Sequence, residues 1–319
     1  MRTVVVLGAA GRVGDAVARA FLDAGWTVRG VARGAKAAGL PAGVEAADAD
    51  AFDREALVAA CAGADVVVNA LNPPYTDWDD KAMPMAQNVA AAVKAAGATH
   101  MLPGNVYNFG HAIGMGMAED APVSPSTAKA RVRIAMEEMF RRLAAEEGVR
   151  TVVLRAGDFY GGPLPGTWHD LMILPRLDRG VLVWPGPADC PHAFAYLPDL
   201  GRAFVALAER RRELGGFEAV HFEGHTLAGN EVTAMAEAIT GRRLKLRGVP
   251  WPLLRAAGLV MPMMREVAAM SYLWRMPHSL DGSKFRALVP DFAATPPELA
   301  LRETVEALGL SAGAGRQAA

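Results

Sequence analysis

The sequence predicts an α/β fold: a doubly wound parallel sheet with a smaller α/β lobe towards the C-terminus. Three observations predict it. Thr3-Val4-Val5-Val6-Leu7 is a short apolar run rich in β-branched residues, suited to a strand buried on both faces. It runs straight into Gly8-Ala9-Ala10-Gly11-Arg12-Val13-Gly14, and a helical stripe of Val13, Val17, Phe21 and Ala24 follows. Strand and helix patterns then alternate as far as Gly162, which is the signature of a parallel sheet covered on both faces.

Strand, glycine turn and helix in that order make the phosphate-binding corner of a Rossmann-type dinucleotide fold. Gly8 permits the tight turn, Gly11 removes a Cβ where a pyrophosphate must approach, and Gly14 lets helix and strand pack closely. The helix N-terminus then offers free N–H groups and a positive dipole end. Gly25 ends the first helix, and Trp26 to Ala32 reads as strand two, with Arg33 just beyond it. In this fold that position lies beside the adenosine ribose. A basic residue there can meet a 2′-phosphate, so Arg33 points to NADP, with NAD as the alternative. Arg12, inside the turn, is a second candidate for that phosphate.

Val44 starts a brief third strand, and a helix from about Arg54 to Ala60 follows Asp50-Ala51-Phe52-Asp53. Ala64 to Ala70 is strand four, ending in Leu71-Asn72-Pro73-Pro74, small and proline residues that leave room for a ligand. An alanine-rich helix covers roughly Met83 to Ala96. Strand five runs from Thr99 to Val106, and Pro103 and Gly104 within it suggest a bend. Ser124-Pro125 reads as an N-cap with proline at the first helical position, opening a helix to about Glu147. Its apolar stripe is Val132, Met136, Met139 and Leu143. Lys129 falls on that stripe, where an ammonium is costly unless it has a polar target. Arg131, Arg133 and Arg141 lie elsewhere around the helix and read as solvated.

Strand six, Val149 to Arg155, leads into Ala156-Gly157-Asp158-Phe159-Tyr160-Gly161-Gly162. Beyond it the pattern loosens, with strands near Val181 to Trp184, Ala193 to Tyr196, Ala219 to Glu223 and Arg243 to Leu246. Helices are expected at Asp170 to Leu177, Pro198 to Arg210, Glu231 to Thr240 and from Trp251 onward. Residues 1–162 form the dinucleotide-binding domain, to which 193–210 returns. Residues 163–192 and 211–312 form the substrate lobe, and 313–319 a tail. The apolar stretch Trp251 to Met264 is interrupted by Arg255 and Pro262 and is too short for a membrane span. It reads as a core helix pair, so no membrane partner is expected.

Composition adds exclusions. With 319 residues, 52% hydrophobic and 21% charged, the chain has ample core, and its net charge of -1 gives no electrostatic case for nucleic acid. Cys61 and Cys190 are too few for a disulfide framework, and no signal peptide precedes strand one, so a reduced, cytoplasmic setting is expected. His221-Phe222-Glu223-Gly224-His225 has the wrong spacing for a zinc helix, and no metal is expected.

These residues resemble the extended or atypical short-chain dehydrogenase/reductase superfamily, of the NAD-dependent epimerase/dehydratase type, over nearly the whole length. The resemblance rests on the Gly8–Gly14 turn, Asp50 three residues before Asp53, Asn69-Ala70-Leu71, Lys129, Arg155 to Gly161 and Tyr196-Leu197-Pro198-Asp199. It implies that Asp50 contacts the adenine amine and that Ala51, Ala70, Leu71 and Asn72 line the cofactor. It places Ala156, Gly157, Asp158 and Phe159 by the nicotinamide carboxamide and Lys129 on the nicotinamide ribose. Relatives often pair through their two long helices, so a homodimer through Met83–Ala96 and Thr127–Glu147 is implied too.

One departure outweighs the matches. The superfamily's acid–base tyrosine stands four residues before its lysine, and here that place holds Pro125, which has no proton to give. The serine or threonine usual after strand five is also unclear, with Asn105 the nearest polar residue. Tyr107 and Tyr160 lie after strands five and six and are the candidate replacements, with Thr127 as a non-titrating donor. Each tyrosine also reads as aromatic packing. Trp168, His169 and Trp184 read as walls of a substrate pocket, and His192 and Tyr196 as residues able to reach the cleft. The expected function is an NAD(P)-dependent oxidoreductase acting on a small carbonyl or hydroxyl substrate. The alternatives are a non-catalytic NADP(H)-binding redox sensor and a nucleotide-sugar epimerase or dehydratase.

Overall fold

The computed structural model describes residues 2–311, and the expected tail at 313–319 lies outside them. Strands β1 (Thr3–Leu7), β2 (Thr27–Ala32), β3 (Glu45–Asp48), β4 (Val66–Asn69), β5 (Thr99–Gly104) and β6 (Thr151–Arg155) alternate with helices α1 (Arg12–Asp23), α2 (Arg54–Cys61), α3 (Trp78–Ala96) and α4 (Ala128–Glu147). After them come β7 (Asp158–Tyr160), β8 (Val181–Trp184), β9 (His192–Tyr196), α5 (Leu197–Glu209) and β10 (Phe217–His221). The main sheet has the order β10-β6-β5-β4-β1-β2-β3 and is parallel throughout. Strand order reverses between β1 and β4, and a ligand crevice opens at such a switch point, beyond the strands' C-terminal ends.

The β1 run shows why the layers form. Successive side chains of a strand point to opposite faces, so Val4 and Val6 enter the core beneath α1 and α5, with Phe21, Leu200 and Phe204. Val5 and Leu7 enter the core beneath α2, α3 and α4, with Leu57, Val89 and Phe140. A third core fills the lobe, around Tyr160, Trp184, Phe194 and Trp274.

Several elements differ from the sequence expectation. The β5 strand does not bend: Pro103 and Gly104 stay in register with Leu154 and Arg155. His100 donates its N–H to the β6 side, so Pro103, three residues on, turns its nitrogen towards β4, whose pairing stops at Met101. No ladder bond is lost. The α4 helix starts later than Ser124-Pro125, with Thr127 as N-cap accepting from the Ala130 N–H at 3.2 Å. Ser124 lies in a segment tied to the 106–112 turn: its N–H donates to the Asn108 carbonyl and its own carbonyl is pressed against Gly110 rather than turned to a helix. The α3 helix begins at Trp78, not Met83, and carries Pro84 inside it. Finally, β10 was expected in the lobe but pairs with β6 at the edge of the main sheet.

The lobe continues with β11 (His225–Leu227), α6 (Gly229–Thr240), β12 (Lys245–Gly248), α7 (Trp251–Ala257), α8 (Pro262–Ala269), α9 (Ser283–Leu288) and α10 (Pro297–Ala307). Trp251 to Met264 is not a core helix pair. Trp251 is buried, but Leu253, Leu259, Val260, Met261 and Met263 all face out. The apolar composition was read correctly and its location was not.

Three buried imidazoles make the fold acid-sensitive. Burial pushes His100 and His278 down to about 3 and His169 down to about 4, from an ordinary 6.5. All three are therefore neutral when folded and bind protons freely when unfolded. Between pH 6.5 and pH 4 the unfolded chain holds more protons, so stability falls as pH falls through that window. The loss reaches about 1.4 kcal/mol per pH unit for each histidine, or about 4 kcal/mol for three. Urea midpoints measured from about pH 7 down to about pH 4.5 should drop steeply, and a flat profile would contradict the assignment.

Candidate active site

The crevice is built from its glycine corner outward. Gly8 has φ +76, and a Cβ there would stand 2.9 Å from the Ala70 carbonyl oxygen, so turn and β4 end touch backbone to backbone. At Gly14 a Cβ would meet the Gly8 carbonyl oxygen at 2.2 Å, which is the close helix–strand packing the motif predicts. A Cβ at Gly11 meets only that same carbonyl oxygen, at 3.2 Å, and otherwise projects into open space. Gly11 is the N-cap of α1 and caps with no side chain, so the first-turn amides, including those of Arg12 and Val13, keep their donors for an anion. Ala10 lies half-buried on the same turn. This corner fits a pyrophosphate.

Beyond the C-terminal end of β2, Arg33 and Asp50 stand together. The Arg33 guanidinium is 3.3 Å from the Asp50 carboxylate, and both are well exposed. Asp50 also accepts from the Phe52 N–H at 3.0 Å, and that bond first, Arg33 second, holds its carboxyl below the ordinary range. Ala51 is buried beside it, its carbonyl fixed by Asn88 from α3. Arg12 does not join them. It reaches across the crevice to the Pro165 carbonyl at 3.4 Å and lies against Gly166. In this structure Arg12 ties the loop at 163–166 to the glycine turn.

The β4 end runs Asn69-Ala70-Leu71-Asn72. Asn69 Oδ1 accepts the Leu71 N–H, and a recess beside Leu71 and Asn72 is floored by Met85 and Met136. On the other side of the crevice Lys129 emerges from the first turn of α4. It is 3% exposed. Its Nζ pairs with the Glu266 carboxylate from α8 and lies 4.9 Å from the centre of the Tyr75 ring. The Tyr75 hydroxyl is in turn 2.9 Å from that of Tyr107. Burial raises both phenols above their ordinary value, Tyr107 the more strongly. Pro125 is exposed, ahead of the helix.

Tyr75 and Glu266 were invisible to sequence reasoning, since they come from segments 54 and 137 residues away from Lys129. The Arg133 side chain was misread as solvated. It packs over the Trp78 ring at 4.9 Å and donates to the Pro103 carbonyl at 3.4 Å. Asn105 has a positioning part: its Oδ1 accepts the Tyr107 N–H at 3.1 Å and opens the short helix carrying that tyrosine. A buried network holds this turn from below. Glu137 pairs with Arg155 at 2.8 Å and accepts from Asn108 at 3.0 Å, and Arg155 donates to the Asn105 carbonyl at 2.6 Å.

Opposite the phenols, Asp158 lies 2.9 Å from His192 Nε2, and His192 is stacked on Trp274 at 4.0 Å. Ala156 is buried in the main core, Gly157 is pressed on Ala193, and Phe159 packs partly against the main core. Tyr160 turns away. It is 1% exposed in the lobe core, with its hydroxyl 2.5 Å from His225 Nδ1, so it presents no phenol to the crevice. Trp184 and His169 share that core and line no open pocket, and Trp168 packs against Trp251 and Trp274. Tyr196 bonds Glu303, and Asp199 accepts from the Thr295 N–H and hydroxyl, so this motif staples the C-terminal segment down. His221 bonds the Met117 carbonyl, and no cluster suited to a metal occurs among the described residues.

Comparison with known proteins agrees with this geometry. The model of the NmrA-like family matches residues 1–282. No curated protein matches. Solved structures of similar fold include MoeE5 in complex with UDP-glucose and NAD, at 21% identity and TM-score 0.73 over 96% of this chain and 98% of that one. The UDP-glucose 4-epimerase of Thermotoga maritima has 17% identity and TM-score 0.76 over the same shares. The UDP-N-acetylglucosamine 4-epimerase of Bacillus cereus has 15% identity and TM-score 0.75 over 97% and 99%. At these identities the likeness carries the fold and no substrate. Glycine corner, strand order and a family match over residues 1–282 together make this chain a member of the NmrA-like family.

Proposed function

We propose that this chain is an NADP-dependent oxidoreductase that reduces a small carbonyl compound, or oxidises the matching alcohol. One observation carries the reading. The buried ammonium of Lys129 stands at the C-terminal edge of the sheet beside two phenols, Tyr75 and Tyr107, joined by a hydrogen bond. NADP would lie along the crevice, with the α1 amides holding its pyrophosphate and the Arg33–Asp50 pair its adenosine end. An ammonium has three donors, so Lys129 can keep Glu266 and still bond the nicotinamide ribose. The bound coenzyme supplies or accepts the hydride.

The tyrosine pair replaces the proton donor that Pro125 lacks. In the reducing direction one phenol gives its proton to the substrate oxygen and the second passes a proton to the first. Phenols held above their ordinary range stay protonated at neutral pH, as a donor must. The Lys129 charge over the Tyr75 ring offsets the negative charge left as the proton departs. Asp158 and His192 form the opposite wall and orient the substrate.

Loss of NADPH absorbance with a panel of small aldehydes and ketones tests this. Tyr75→Phe and Tyr107→Phe should each lower kcat by about 100-fold while leaving coenzyme affinity intact, as expected for a lost proton donor. Lys129→Met should weaken coenzyme binding as well. A second reading, a redox sensor that binds NADP(H) without turnover, is favoured by Pro125 standing where the tyrosine belongs. Tight coenzyme binding with no turnover on any member of the panel would decide for it.

A further inference from the structure

Charge is not spread evenly along this chain. Between Arg242 and Arg275 there are seven basic side chains and one acidic one, Glu266, in a protein of net charge -1. Glu266 is already engaged by Lys129 and Arg265. The same stretch contains the α7–α8 hairpin, whose turn thrusts Leu259 and Val260 outward at 87% and 82% exposure, flanked by Leu253 and Met261. Contiguous exposed apolar side chains of this kind mark a contact site.

The shape and charge select the partner. The tip is a convex turn between helices of seven and eight residues, not a groove that would receive a peptide. It is far too short to cross a bilayer, and no described helix is long and apolar enough to do so. An apolar turn whose two helices carry exposed Arg255 and Arg265 suits the boundary between acyl chains and anionic headgroups, where arginine stems stay apolar and guanidinium groups meet phosphates. We propose that the α7–α8 hairpin docks this protein on an anionic bilayer surface, with Leu259 and Val260 among the acyl chains. The α8 helix also carries Glu266 to Lys129, so the docked face borders the crevice. The proposal replaces the sequence expectation of no membrane partner and is independent of the reaction proposed above.

Flotation of the full chain with vesicles tests it. Vesicles of phosphatidylcholine mixed with phosphatidylglycerol should carry the protein up, and pure phosphatidylcholine should carry much less. The double variant Leu259→Asp, Val260→Asp should lose about 10-fold or more of the bound fraction, and added salt should weaken binding of the native chain. Both positions are exposed, so the variant should keep its circular dichroism and thermal midpoint. A Leu259→Trp variant adds a second readout, a blue shift of emission on anionic vesicles alone. The proposal is overturned by native protein that stays unbound on anionic vesicles, by a double variant that floats like the native chain, or by a tip that mediates self-association without flotation.

Discussion

Gly14→Ala is expected to remove dinucleotide binding almost completely while leaving most of the secondary structure in place. The added methyl would stand 2.2 Å from the Gly8 carbonyl oxygen and 2.8 Å from Ala9 Cα, both backbone atoms that cannot rotate aside. Relief requires α1 to move off the β1 turn. Overpacking of this type costs about 3 kcal/mol of stability, and withdrawing the helix end from the pyrophosphate should weaken affinity by roughly 100-fold. Fluorescence titration with NADPH, beside a denaturation curve, separates the two effects. Gly11→Ala is the useful contrast. Its methyl meets only the Gly8 carbonyl oxygen, at 3.2 Å, so stability should fall far less than in Gly14→Ala while coenzyme binding still falls, and equal behaviour of the two variants would contradict the assignment of roles.

Glu137→Ala should be the most destabilising single change around the site. Glu137 and Arg155 are both under 10% exposed and pair at 2.8 Å, and Asn108 donates to the same carboxylate. Deleting it strands a buried guanidinium with the Asn105 carbonyl as its remaining polar contact among the described residues. Breaking one side of a buried pair costs about 3–5 kcal/mol, or a drop of about 10 °C in Tm for a chain of this size. Glu137→Gln keeps one acceptor oxygen, enough for Arg155 but without the charge and without a second acceptor for Asn108, and should lose less than alanine. The short helix bearing Tyr107 rests on this network, so activity should fall below what unfolding alone explains. A Glu137→Ala variant as stable as the native chain would show that the pair contributes little.

What sequence could reveal followed from local chemistry. The β1 run, the glycine turn and the α1 stripe each specify their structure within a few residues, and they lie where the spacing predicts. Lys129 was legible for a different reason: a lysine on an apolar helical stripe must find a partner, and it does. Its partners were not legible. Tyr75 and Glu266 arrive through tertiary packing, and no local pattern links them to α4. Ser124 lies outside α4 because its segment is packed on the turn at Asn108 and Gly110, a contact made across a loop. The Arg133 and Tyr160 misreadings share a cause, since helical spacing and strand order give a direction but not what stands there. Trp251 to Met264 is the instructive error. Apolar composition argues for burial only where a neighbour covers it, and none of the described chain covers Leu253, Leu259, Val260, Met261 or Met263.

Calorimetric titration of the intact chain with NADPH and with NADH tests the central claim most directly. NADPH should give saturable heat, NADH should bind more weakly, and the gap between them should close in Arg33→Ala because that guanidinium meets the 2′-phosphate. No heat from either coenzyme, or equal affinity for both in the native chain and the variant, would contradict it.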